Sequence, residues 1–208
     1  NRIEPKFAGL NGEKDNGNGS LMRIAPLIPY IYGLVEEQQI QIISEVSSLT
    51  HRHPRSILAC IFLCKFAIQY LATKEIPTAF AYTQKEIKYL LTQEKFKNEC
   101  SHFDRLVNLT YEQFRNIAEN DIKSTGYVID TLEASFWSIF NNNDFKDSVL
   151  CAVNLGYDAD TVGAITGALA GIIYGHDSIP EEWLNVLARK EDIIELANKL
   201  DSAIKSNP

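Results

Sequence analysis

The residues best suited to chemistry lie in Gly156-Tyr157-Asp158-Ala159-Asp160-Thr161, where two carboxylates and a hydroxyl fall within four residues, just before an apolar, glycine-spaced segment. Oxygen donors at that density suit a hard divalent cation, which takes about six of them. The same residues also suit plain N-capping, because a carboxylate accepts the orphan N–H groups of a helix start and favours its positive end. One aspartate is enough for a cap, whereas two opening a buried helix need a counter-charge. The helix dipole disfavours a cation at this end, so Asp158, Asp160 and Thr161 would supply only part of a metal shell and further acidic groups must come from elsewhere. Spacing alone leaves both readings open.

Three weaker constellations accompany this one. Asn16-Gly17-Asn18-Gly19-Ser20-Leu21-Met22-Arg23 is a glycine-rich turn feeding a helix, able to offer backbone N–H groups to a phosphate or polar side chains to a ribose, and equally able to be a surface turn. It matches neither a Walker loop nor a dinucleotide fingerprint. Thr50-His51-Arg52-His53-Pro54 sets two histidines at a helix start, but a pair at i, i+2 shares no helix face, so zinc is disfavoured; a structural His, a capping Thr or a ligand hydrogen bond remain. Ser124-Thr125-Gly126-Tyr127 sets an aromatic beside a glycine, which suits either stacking against a base or ribose or anchoring in the core.

The elements that must position these residues read as all-α. Helical spacing runs through Leu21 to Ile31, interrupted by Pro26 and Pro29, then through about Glu36–Leu49, Arg55–Ala72 and Pro77–Leu91. Weaker patterns cover 98–107 and 110–119. Val128–Phe140 and Phe145–Leu155 are amphipathic, and Asp158–Tyr174 is apolar on nearly every side and stops at Gly175, which predicts a central helix surrounded by others. Gly163, Gly167 and Gly171 recur every four residues on it, a bare face expected to admit close neighbours at about 1 kcal/mol of helix propensity each. A short helix from Ile179 and a last one from Lys190 to Ala203 follow. No segment alternates with period two, and no linker divides the 208 residues, so one domain over 1–208 is expected.

Composition narrows the function. A net charge of -7 without a Lys/Arg cluster argues against nucleic-acid binding, which needs a basic face. Cys60, Cys64, Cys100 and Cys151 form no C-x-x-C pair, which suits a reducing compartment and predicts a cytoplasmic location; Cys60 and Cys64, one helical turn apart in an apolar stretch, read as core thiols. The apolar run Ile57 to Ala72 is broken by Lys65 and Gln69 and reads as too short for a membrane span. Glu36-Glu37 and Glu181-Glu182 read as solvent-facing helix starts. The chain opens on Asn1 rather than methionine, read as a processing site or the start of an incomplete polypeptide.

Taken in order, NGNGSLMRIAP, THRHP, TGYVIDTLEAS, NLGYDADTVGAITGALAG and IPEEW resemble the ADP-ribosylglycohydrolase family, nearest its bacterial dinitrogenase reductase-activating glycohydrolase branch, from about Asn16 to Trp183. The resemblance implies a compact, orthogonal multi-helix domain around a buried Gly-rich helix. It also implies a dinuclear magnesium or manganese centre and hydrolysis of the N-glycosidic bond joining ADP-ribose to a modified side chain, arginine above all. By motif, Asp158, Asp160 and Thr161 would be the C-terminal metal ligands, with Asp160 bridging two ions. Asn18, Gly19, Ser20 and Met22 would line the ADP-ribose cleft, and His51, Gly126 and Tyr127 would contact ribose, phosphate or adenine.

Family members also carry an upstream segment with a Thr-Asp-Asp cluster, which does not occur in these 208 residues, so the chain is expected to represent roughly the C-terminal two-thirds of the family fold. Catalytic acidic groups are expected in that upstream segment. The alternative is a truncated or degenerate homologue that binds ADP-ribose or a partner without catalysis. An ADP-ribosylated protein is the expected partner, and an apolar groove left by missing helices would favour self-association or another partner.

Overall fold

In the computed structural model, which describes residues 4–206, local sequence chemistry sets the helix boundaries. Pro26 and Pro29 lack N–H donors and divide the first helical stretch into 3₁₀ turns at Leu21–Arg23 and Ala25–Leu27 and a short α1 (Ile28–Ile31). Helix α2 (Glu36–Ser48) leads through the Thr50–His53 junction into α3 (Pro54–Thr73), with Pro54 in its first turn; α4 (Ile76–Leu91) returns alongside it. The weakly patterned region resolves into a 3₁₀ segment Lys97–His102 and short helices α5 (Asp104–Asn108) and α6 (Tyr111–Arg115), the latter opened by a Thr110/Gln113 capping box. Then come α7 (Val128–Phe140), α8 (Phe145–Asn154), α9 (Ala159–Tyr174), α10 (Glu181–Val186) and α11 (Lys190–Ser206). No strand forms among the described residues; two isolated bridges, Leu10 with His51 and Gly17 with Tyr127, are the only β pairing there.

The core lies where α3 and α7 meet α4 and α9. Phe136 on α7 sits edge-on to Phe62 and Phe66 of α3, with centroids 5.2 and 4.7 Å away, and Phe80 of α4 packs edge-on to Phe140 at 5.0 Å. Such pairs add about 0.5–1.5 kcal/mol each beyond their burial. Cys60 and Cys64 are buried here, where burial pushes both thiols up in pKa, as befits packing residues.

Two expectations need correction. Helix α3 is 20 residues long and therefore long and apolar enough to cross a bilayer, contrary to the reading of Ile57 to Ala72 as too short; here most of it is buried inside the fold, and the Lys65 ammonium is held by Gln39 at 3.0 Å and Glu86 at 3.3 Å. Helix α9 is not enclosed on every side: Thr161, Val162, Ile165, Thr166, Leu169 and Ala170 are buried against its neighbours, while Ala164 is exposed. Its glycine face is also only partly used. A methyl at Gly163 would sit 2.8 Å from Val153 of α8, a true close approach; one at Gly167 would stand 3.8 Å from Val149, and one at Gly171 would meet nothing. The i, i+4 spacing is shared, but only its first glycine meets a side chain of α8 at close range.

Helix α11 buries no residue completely. It lies over α1, and an apolar groove of about 660 Å³ between it and the body is lined by Ile28, Leu71 and Ile172 on one side and Leu200 and Ile204 on the other.

Candidate functional site

The Asn16–Gly19 turn is stitched to the start of α7 by its backbone. The Asn18 N–H donates to the Gly126 carbonyl at 3.0 Å, and the Val128 N–H donates to the Asn16 carbonyl at the same distance. The start of α9 joins them through the Asp158 N–H, which donates to the Ser124 carbonyl at 3.0 Å. Three segments far apart in sequence thus form one seam.

Asn18 is its centre. Its buried amide donates to Thr131 Oγ1 at 2.8 Å and to Asp158 Oδ2. Thr161 donates its hydroxyl to the other oxygen, Asp158 Oδ1, at 3.2 Å, and the Thr161 N–H donates to Asp160 Oδ1 at 2.9 Å. Asp158 occupies the N-cap position of α9 yet makes no side-chain capping bond, so capping does not explain this carboxylate. Before it, Tyr157 is 90% exposed and held at φ 50°, the left-handed region that an aromatic residue enters only at a cost.

Asp158, Asp160 and Thr161 offer oxygen donors only, the type a magnesium- or manganese-like ion takes. Asp158 is half-buried and Asp160 exposed, so ligand access remains. Among the described residues no three His, Cys, Asp or Glu side chains gather into a group able to hold a metal ion. By donor type alone, these three residues match part of a hard-cation shell.

His51 closes another side of the seam. Its ring lies against the glycine turn, with Cε1 only 2.8 Å from where a Cβ on Gly19 would stand, so any larger residue there would push the ring aside. Arg23 Nη2 donates to Thr50 Oγ1 at 2.6 Å, and the same hydroxyl shares a hydrogen bond with His51 Nδ1 at 2.8 Å. Burial, helped by the Arg23 charge, lowers the His51 pKa and keeps the ring a neutral hydrogen-bonding group at pH 7. The cap at the start of α3 is made not by Thr50 but by His53, whose Nδ1 accepts from the Arg55 N–H at 3.2 Å.

The remaining candidates divide. Gly126 is exposed beside Asp158, and Tyr127 is half-buried with its hydroxyl 3.1 Å from His102 Nδ1. Met22 is 51% exposed. Ser20 is fully buried and accepts from the Cys60 thiol at 3.5 Å, so it supports the turn from beneath, out of a ligand's reach.

Sequence reasoning missed Thr131, which anchors Asn18, and an ionic cluster behind Tyr127. Arg55, 4% exposed, donates to Glu99 Oε2 and to Glu13 Oε1, both at 2.7 Å, and its guanidinium lies over the Tyr127 ring at 5.9 Å. An arginine opening a mostly apolar helix was the available signal, because such a charge must find partners.

A family model described as ADP-ribosylglycohydrolase matches residues 2–208. The chain is 34% identical to an ADP-ribosylarginine hydrolase Tri1 of Serratia proteamaculans, over 88% of this chain and 46% of that protein. It is 27% identical to the ADP-ribosyl-[dinitrogen reductase] glycohydrolase of Rhodospirillum rubrum, over 92% and 57%. A solved ADP-ribosylglycohydrolase-related protein complex superposes with a TM-score of 0.74 at 29% identity, covering 91% of this chain and 61% of that one. The chain thus spans about half the length of the relatives it matches.

Proposed function

The chain belongs to the ADP-ribosylglycohydrolase family, and on that premise we propose that the Asn18–Asp158 seam is part of a metal-dependent site that removes ADP-ribose from a modified arginine of a protein. The observation that carries this reading is the convergence of the glycine turn, the Gly126-Tyr127 corner and the Asp158 carboxylate on Asn18. The arginine linkage rests on the similarity to ADP-ribosylarginine hydrolases.

Cleaving an N-glycosidic bond builds positive charge at the anomeric carbon and requires an oriented water. Magnesium or manganese would be held by Asp158, Asp160 and Thr161, and when bound would supply Lewis acidity beside the ribose hydroxyls. Asn18 and Thr161 hold the two oxygens of Asp158 in a fixed orientation, and neutral His51 offers a hydrogen-bonding ring at the glycine turn without adding charge. A cytoplasmic setting, with its cysteines kept reduced, belongs to the same reading.

The test is release of ADP-ribose from ADP-ribosyl-arginine by the full-length protein with magnesium or manganese. Asp160→Ala is expected to lower turnover by about a hundredfold or more while leaving thermal unfolding within a few degrees. Equal turnover by wild type and variant removes the proposal. A second reading, binding of ADP-ribose without hydrolysis, is favoured by one observation, the presence of only two carboxylates in the cluster. Calorimetry that finds metal-independent ADP-ribose binding, with no turnover in any metal, would select it.

A further inference from the structure

One buried guanidinium reaches both walls of the seam. Arg55 opens α3, whose body is the core of the fold, and is itself almost inaccessible. Its Nη2 donates to Glu13 at the head of the glycine turn, and the Glu13 carbonyl in turn accepts from the Asn16 amide at 3.0 Å. His53 Nε2 meets the other Glu13 oxygen at 3.3 Å, so the turn is clipped to α3 by two side chains. On the opposite wall the guanidinium lies over Tyr127, whose hydroxyl meets His102 at 3.1 Å. Glu99, two residues from the 3₁₀ start, fixes Arg55 Nε at 2.7 Å from behind.

This exceeds what a buried charge needs for itself. Glu99 alone, also buried, would neutralise Arg55; the extra contacts go to the residue that starts the turn and to the aromatic ring beside Gly126. A guanidinium suits the task because its planar fork donates in two directions while its face lies on a ring. With its hydroxyl tied to His102 and a cation against it, the Tyr127 ring is held at two points, and it remains half-exposed to a ligand.

We propose that Arg55 is a positioning residue for ligand binding: it acts through Tyr127, setting the ring and the glycine turn at a fixed separation that matches the aromatic and ribose end of a nucleotide sugar. The inference rests on the ADP-ribose reading above and deepens it.

The experiment is a coupling measurement by calorimetry with ADP-ribose on the full-length protein. Removing Arg55 alone would strand Glu99, so the charge-free variant is Arg55→Met with Glu99→Met, which leaves no buried charge unpaired. Tyr127→Leu and this paired variant are each expected to weaken binding about tenfold, and the triple variant no more than about threefold beyond either, because both routes remove one contact. Arg55→Lys, which keeps a charge opposite Glu99 but loses the planar fork that also reaches Glu13 and the flat face on the ring, is expected to weaken binding by about threefold to tenfold. Losses that multiply to about a hundredfold in the triple variant, or a paired variant that binds like wild type, overturn the role of Arg55 while leaving the ADP-ribose reading intact. Should the paired variant fail to fold, Arg55→Lys decides alone: a folded Arg55→Lys protein that binds ADP-ribose like wild type overturns the inference. Wild-type protein that binds no ADP-ribose overturns both readings together.

Discussion

The aromatic core between α3 and α7 and the polar seam at their N-terminal ends are built from the same helices by opposite means. In the core, Phe62, Phe66, Phe80, Phe136 and Phe140 pack edge to face, and no single contact decides the arrangement. In the seam, position depends on a few directed bonds, chiefly those of Asn18 and Arg55, each of which can be removed by one substitution. Non-directional burial supplies most of the stability, and directed bonds supply the geometry that chemistry needs.

The largest effect expected from testing that division is in the core. Phe136→Ala should cost about 3–5 kcal/mol in denaturant unfolding, while ADP-ribose affinity of the folded protein changes by less than about threefold. A selective loss of binding at full stability would break the comparison.

Glu133 tests the border, as a carboxylate that intrudes on the apolar face of α7. Burial pushes its pKa up to about 7 despite Arg105 at 3.4 Å. A folded-state pKa above the unfolded one means that the folded chain holds the proton more tightly. Stability then declines as pH rises from about 4.5 to about 7, by up to about 3 kcal/mol. Glu133→Gln should flatten this slope, unfolding at a higher temperature than wild type at pH 8 and at nearly the same temperature at pH 4. Parallel pH profiles would show that the carboxylate is paid for in some other way.

Asn18→Ala sharpens the other side. It should cost only about 1–2 kcal/mol of stability, because two hydrogen bonds are lost at a partly open site, but weaken ADP-ribose binding more than tenfold. The smallest effect concerns α9. Gly167→Ala has room for its methyl and should stabilise by about 0.5–1 kcal/mol, whereas Gly163→Ala meets Val153 and should not. Thermal unfolding of the two variants distinguishes a packing glycine from a spare one.

Helix positions were legible because their causes are local. Period 3.6 in Val128–Phe140, Pro54 at the start of α3 and the prolines at 26 and 29 each act within a few residues. The aspartate pair and the glycine turn were legible as residue types with two meanings each. What joined them was not, since the Asn18–Asp158 bond spans 140 residues of sequence and depends on how α7 and α9 pack. That only Gly163 closely meets α8 was hidden for the same reason, because spacing records a shared face but not its distance from a neighbour. The Arg55 cluster needed three segments to meet, and only the oddity of a charge at the head of an apolar helix marked it beforehand.

Helix α11, thinly attached over α1, has a consequence for how the molecule opens. Without a fully buried side chain, it can detach at a small fraction of the free energy that holds α3 in place. Its amide protons should trade with deuterated solvent long before those of the aromatic centre, and a protease would cut the chain near Arg189 while the rest kept its native form.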